Sequence, residues 1–142
     1  MSVTTCSSFA DLSKKLHAKA EDISARVNAM RKKNIVVGIP PESKYPNGQK
    51  IVDIARMIEF GTRHIGPRPF FRIAADENAA KWTRMLAKGV REEVRRHKRP
   101  VIRPTLIAVG EEMQKDIRKT MLDLDVWDTG RMHSSISILK VR

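Results

Sequence analysis

The chain has 142 residues, 41% of them apolar and 31% charged, with a formal net charge of +12. That length suits one domain, spanning 1–142, able to bury roughly 70% of its unfolded-chain surface without disulfides or metals. The composition excludes a disordered chain, and no apolar run approaches the ~18 residues of a bilayer span, so no membrane association is expected.

Met1 to Ala10 lacks the basic segment and apolar stretch of a secretory signal. Cys6 is the one cysteine and has no internal partner. Folding in a reducing cytoplasm is therefore expected. The excess of 28 Lys and Arg over 16 Asp and Glu favours a polyanionic partner, either nucleic acid or an acidic protein surface. A well-solvated basic surface is the plainer alternative.

In chain order, residues 1–8 are expected to be flexible. Phe9, Leu12, Leu16, Ala20, Ile23, Val27 and Met30 then recur at spacings of three and four, which predicts one amphipathic helix from Phe9 to Lys33. Ser8 and Asp11 suit its N-terminus, and Arg31, Lys32 and Lys33 its C-terminus. Ile35 to Ile39 is β-branched and stopped by Pro40-Pro41, so it reads as a strand. Pro46-Asn47-Gly48 marks a turn.

Ile51, Ile54, Ala55 and Ile58 predict a short helix ending at Gly61 in a left-handed cap. Thr62 to Pro69 reads as an ordered loop stiffened by Pro67 and Pro69. A long helix is expected from Phe71 to about His97, broken by Pro100 and Pro104, and a further one from Thr105 to Met121. Asp128-Thr129-Gly130 is a turn or cap before a short helical turn. Ile136 to Val141 then suggests a strand able to pair with 35–39. The expected fold is α+β: a small antiparallel sheet packed with a long N-terminal helix, a long central helix and a further helix in the C-terminal half.

The residues suggest no reaction. His17, His64, His97 and His133 have no ligand spacing between them, so no metal is expected. Neither a nucleophile elbow nor a Gly-rich phosphate loop occurs, so no cofactor is expected either. Glu92-Glu93 and Glu111-Glu112 read as solvated helix faces. Arg91, Arg95, Arg96, Lys98, Arg99 and Arg103 form a basic segment with no aromatic stacking platform. A solvated face and contact with a phosphate backbone stand about level for it.

Ala55-Arg56-Met57-Ile58-Glu59-Phe60-Gly61-Thr62, followed by Pro67-Arg68-Pro69-Phe70, resembles a segment of the small tail-component and neck proteins of long-tailed bacteriophages. The strand Val36-Val37-Gly38-Ile39 before it, and Asp128-Thr129-Gly130-Arg131 leading to Ser135-Ile136 after it, fall in the family's order. The resemblance covers the middle and end of the chain. Gly66 departs from it, standing where relatives often have proline or alanine, and the basic segment is not a hallmark of it.

The resemblance implies a non-enzymatic virion protein of the neck or tail, made in the host cytoplasm. Such a protein is a head–tail connector or tail-completion subunit assembled with copies of itself in a ring, sixfold or related, around the DNA channel. Its partners are neighbouring connector and tail-tube or terminator proteins, with non-specific DNA contact in the channel as an option. A tail-terminator subunit and a small non-specific nucleic-acid-binding protein are the alternatives. Glu59, Phe60, Gly61, Thr62, Arg63, Pro67, Arg68, Pro69 and Phe70 are either a corner of the fold or a subunit contact. In physical terms Glu59 needs a cation, with Arg63 and Arg68 as candidates, and Phe60 is expected to anchor the loop in the core. The segments Met1 to Ser8 and the final strand are expected to order on docking.

Overall fold

A computed structural model describes residues 9–126 and 130–142. The chain is α+β. Helices α1 (Phe9–Met30), α2 (Ile51–Phe60), α3 (Phe70–Arg96), α4 (Arg103–Asp123) and α5 (Arg131–Ser135) accompany strands β1 (Ile35–Gly38) and β2 (Ser137–Val141). The strands pair antiparallel, Ile35 opposite Val141 and Gly38 opposite Ser137, with a bulge between Val36 and Val37. Asn34 and Arg142 exchange both backbone hydrogen bonds, at 3.1 and 2.9 Å, and so extend the ladder. The turn at Pro46-Asn47-Gly48 is present, with Gly48 at φ 85° and Tyr45 N–H donating to the Gln49 carbonyl at 2.9 Å.

The long helices α3 and α4 pack against each other, and the sheet lies against α4. Two close approaches explain why small residues sit there. A Cβ on Gly89 of α3 would lie 2.1 Å from Thr105 Cγ2, and one on Gly110 of α4 would lie 2.2 Å from Ile35 Cδ1. The main core gathers Phe70 and Ala74 of α3, Ile117 and Met121 of α4, Ile51 and Ala55 of α2, with Ile136 between α5 and β2. A smaller cluster joins Met30, Ile102 and Leu106 where α1, the 97–102 loop and α4 meet.

Polar contacts lock α3 to α4. Asp116, nearly buried, accepts the Trp82 Nε1–H at 2.7 Å and the Lys81 ammonium at 2.7 Å, while Glu112 accepts from the same Lys81 at 3.1 Å. Glu112 and Glu93 therefore differ from the solvated faces expected of them, since Glu93 accepts the Val101 N–H at 3.2 Å. A polar side chain in a helix looks solvated in sequence until its cross-helix partner is known.

Two further expectations are corrected. α1 forms as a helix, but its apolar stripe is not buried: residues 9–25 are exposed throughout, and Met30 is the one α1 residue that is buried. Gly61 does end α2 with a positive φ of 76°, yet its ψ of 168° is extended, so the chain leaves the helix without a left-handed cap. Residues 1–8, with the Ser8 cap and Cys6, lie outside the described residues.

Candidate functional site

The segment from Glu59 to Phe70 is a closed corner between α2 and α3. The first four N–H groups of a helix lack intrahelical partners, and α3 follows a proline that provides no side-chain cap. Glu59 supplies the cap across space. Its carboxylate accepts the N–H of Phe71 at 3.0 Å and of Arg72 at 3.2 Å, and also receives Arg72 Nε at 3.1 Å. Phe70 N–H goes to the Arg68 carbonyl, and Pro69 at the N-cap has no N–H, so the three orphan N–H groups of the first turn are satisfied before Ile73 makes the first intrahelical bond to the Pro69 carbonyl.

The Arg72 guanidinium also donates to the Glu59 carbonyl at 3.0 Å, where it meets the negative end of the α2 dipole. It lies 5.3 Å from the centre of the Phe60 ring. The cationic partner of Glu59 is thus Arg72, and not Arg63 or Arg68. Both of those are exposed, and Arg68 instead donates to the Asp125 carbonyl at 2.8 Å. Phe60 does not anchor the loop either: it is 67% exposed, and the buried anchor is Phe70. Phe60 closes α2 and Phe70 opens α3, and which of them turns inward depends on how the two helices pack, which sequence alone does not set.

The loop is rigid for local reasons. Thr62 Oγ1 accepts the N–H groups of His64 and Ile65, Thr62 N–H donates to the Ile65 carbonyl at 2.8 Å, and Arg68 N–H reaches the Ile58 carbonyl at 2.7 Å. Gly61 is enclosed, because a Cβ there would lie 3.0 Å from both the Ile65 oxygen and the Pro67 nitrogen. Residues 62–68 are all exposed, so the loop is stiff and outward-facing.

This corner faces the C-terminal turn. Ile58, Ile65 and Arg68 on one side, and Val126, Gly130, Met132 and His133 on the other, line a cleft of about 370 Å³. Gly130 has a left-handed conformation, φ 72° and ψ −5°, and opens α5, whose Ser134 donates back to the Gly130 carbonyl. Burial holds the His133 imidazole below its ordinary pKa, and the Arg118 guanidinium adds to that effect. Arg118 itself donates to the carbonyls of His133 and Ile136, tying α5 to α4. Arg131 is exposed, while Asp128 and Thr129 lie outside the described residues.

The basic segment lies elsewhere. α3 has 27 residues, about 40 Å at 1.5 Å per residue, and the motif corner occupies its start. Arg91, Arg95 and Arg96 are near its end, Lys98 and Arg99 in the loop beyond, and Arg103 opens α4. All six are exposed. Arg31, Lys32 and Lys33 join them there, because Met30 packs against Ile102 and Leu106.

Among the described residues, no group of three or more His, Cys, Asp or Glu could hold a metal ion, and no helix is long and apolar enough to cross a membrane. Arg72 ends the motif stretch in sequence but carries no sign there of pairing with Glu59, and nothing local ties Arg118 or Asp125 to this region. The one available signal was the acid at the end of α2, which announced a partner without saying which. Comparison with models of known protein families, with curated proteins and with solved structures finds no match.

Proposed function

We propose that this chain is a non-enzymatic structural protein of a tailed bacteriophage virion, a tail-completion or joining subunit of the neck that assembles in a ring around the DNA channel. One observation carries the reading. Gly130 of the second resembling segment lines the same cleft as Ile58 and Arg68 of the first, and Arg68 donates to the carbonyl of Asp125, 57 positions away. The rigid exposed loop at 62–68 is the kind of feature that presents a contact to neighbouring subunits. Its partners in this reading are copies of itself and the adjoining connector and tail-tube or terminator proteins.

The test is electron microscopy of particles made by the parent phage with this chain deleted. Filled heads beside free tails of normal length support the joining role. Tails of uncontrolled length assign the chain to termination instead, and intact infectious virions overturn both.

The exposed cations at the far end of α3 favour a second reading, a small protein that binds nucleic acid through phosphates without reading sequence. That reading expects micromolar or weaker DNA affinity, roughly 10⁻⁴ to 10⁻⁶ M at physiological salt, falling steeply as salt rises. Titration of duplex DNA at two salt concentrations measures it, and no binding at low salt removes it.

A further inference from the structure

Two apolar surfaces stay open, and they lie at opposite ends of α3. The first is α1. Its contacts with the body come at its C-terminal end, where Arg26 reaches the Val94 and His97 carbonyls and Met30 enters the cluster with Val90, Val94 and Ile102. Arg26 meets the end of α3 and Met30 the turns before it, so α1 runs antiparallel to α3 and its earlier residues extend past that end. Phe9, Leu12 and Leu16 on this arm are 88, 52 and 60% exposed. They lie on one face, at i, i+3 and i+7. A contiguous apolar stripe on a projecting helix is an interaction surface.

The second surface is a groove of about 350 Å³ between α2 and the start of α3. Ile39, Val52, Ala55, Phe60 and Phe71 form its apolar wall, and Arg72 lies at the exposed Phe60. It is open and largely apolar, the character of a groove that takes the anchors of an amphipathic helix. Phe9 to Leu16 spans about 10 Å along the arm.

We infer that the α1 arm of one copy seats Phe9, Leu12 and Leu16 in the α2–α3 groove of the next copy, head to tail. The arm leaves the far end of α3, some 40 Å along the helix from the groove, and points away from it, so the two surfaces cannot meet within one chain. Pairing arm with arm would leave the groove and Phe60 open, whereas the head-to-tail contact covers both. A contact between different surfaces is heterologous: it closes as a ring where the rotation between copies allows and otherwise runs on as a filament. This deepens the ring reading and rests on it only for that closure.

Three anchors bury less than the ~800 Å² per partner of a typical stable complex, so one contact is weak in solution. A ring gains strength because each subunit makes two such contacts.

Sedimentation velocity of the full chain tests the contact. The unmodified chain is expected to associate with concentration, with an apparent constant on the order of 10–100 μM, as weak interfaces do. Leu16→Glu disables the arm and Phe60→Glu the groove; both positions are exposed, so both variants fold, which circular dichroism verifies. Each alone is expected to associate at least tenfold more weakly. Mixed one to one they form a heterodimer and stop there, because one retains a groove and the other an arm.

A Phe60→Glu protein that associates as well as the unmodified chain overturns the inference, since the arm then finds another surface. So does a mixture that stays monomeric, or an unmodified chain that stays monomeric to about 1 mM. Deletion particles with free tails alongside any of these results would leave the neck reading standing and remove only the arm contact.

Discussion

Glu59, the next-to-last residue of α2, holds the first turn of α3 in place by accepting the backbone N–H and side-chain Nε of Arg72, at 3.2 and 3.1 Å. A helix start that has no cap of its own is thereby capped by the end of the preceding helix. The intervening loop is closed into a rigid hairpin between them.

The two partners are unequal, because Glu59 is buried while the Arg72 side chain is 58% exposed. Glu59→Ala strands two helix N–H groups and is expected to cost about 2–3 kcal/mol. Arg72→Ala removes a solvent-screened pair and is expected to cost under about 1 kcal/mol. Urea unfolding of both variants checks the order. An Arg72 loss equal to that of Glu59 would mean that the ion pair, and not the cap, holds the corner.

Gly61 combines φ 76° with contacts to Ile65 and Pro67 that leave no room for a methyl group. Gly61→Ala is expected to destabilise by about 1–3 kcal/mol through backbone strain. It should also raise amide exchange at Thr62 and Arg68, whose hydrogen bonds close the loop. Exchange unchanged at those two amides would show that the loop does not depend on the glycine.

The α3–α4 crossing predicts a sign opposite to helix propensity. Gly89→Ala would gain about 1 kcal/mol in an isolated helix. Here the new methyl meets Thr105 at 2.1 Å, and the β-branched side chain has little freedom to move away. The expected result is a net loss of about 1–2 kcal/mol, recovered when Thr105→Ala is added. Thermal unfolding of the single and double variants measures the recovery.

His133 makes stability depend on pH. Its folded pKa lies below the ordinary 6.5 because burial disfavours the imidazolium and Arg118 repels it. Between the folded value and 6.5 the unfolded chain binds more protons, so stability rises with pH in that window. Its unfavourable contribution is absent above 6.5 and fully present below the folded value. The urea midpoint is expected to fall as pH drops from about 7.5 to about 5, and His133→Gln should flatten that slope.

The sequence by itself determined the elements of this protein. Spacings of three and four placed α1, α2, α3 and α4, because a 3.6-residue turn repeats its inward face at those intervals. The β-branched run before Pro40-Pro41 and the alternating run at the end marked the two strands that pair. Local chemistry also identified the motif corner, since Gly61 and the prolines act on their own backbone.

Only the tertiary structure decided what those elements meet. Periodicity shows that α1 has an apolar face but not whether anything covers it, and Phe9, Leu12 and Leu16 stand in solvent. The choice of Arg72 over Arg63 and Arg68 for Glu59 depends on where the next helix starts. The meeting of the motif loop with the turn at Gly130 depends on the packing of α2 and α5 around Met121 and Ile136. These are contacts between residues far apart in the chain, and a local pattern holds no information about which distant surface fills the space opposite it.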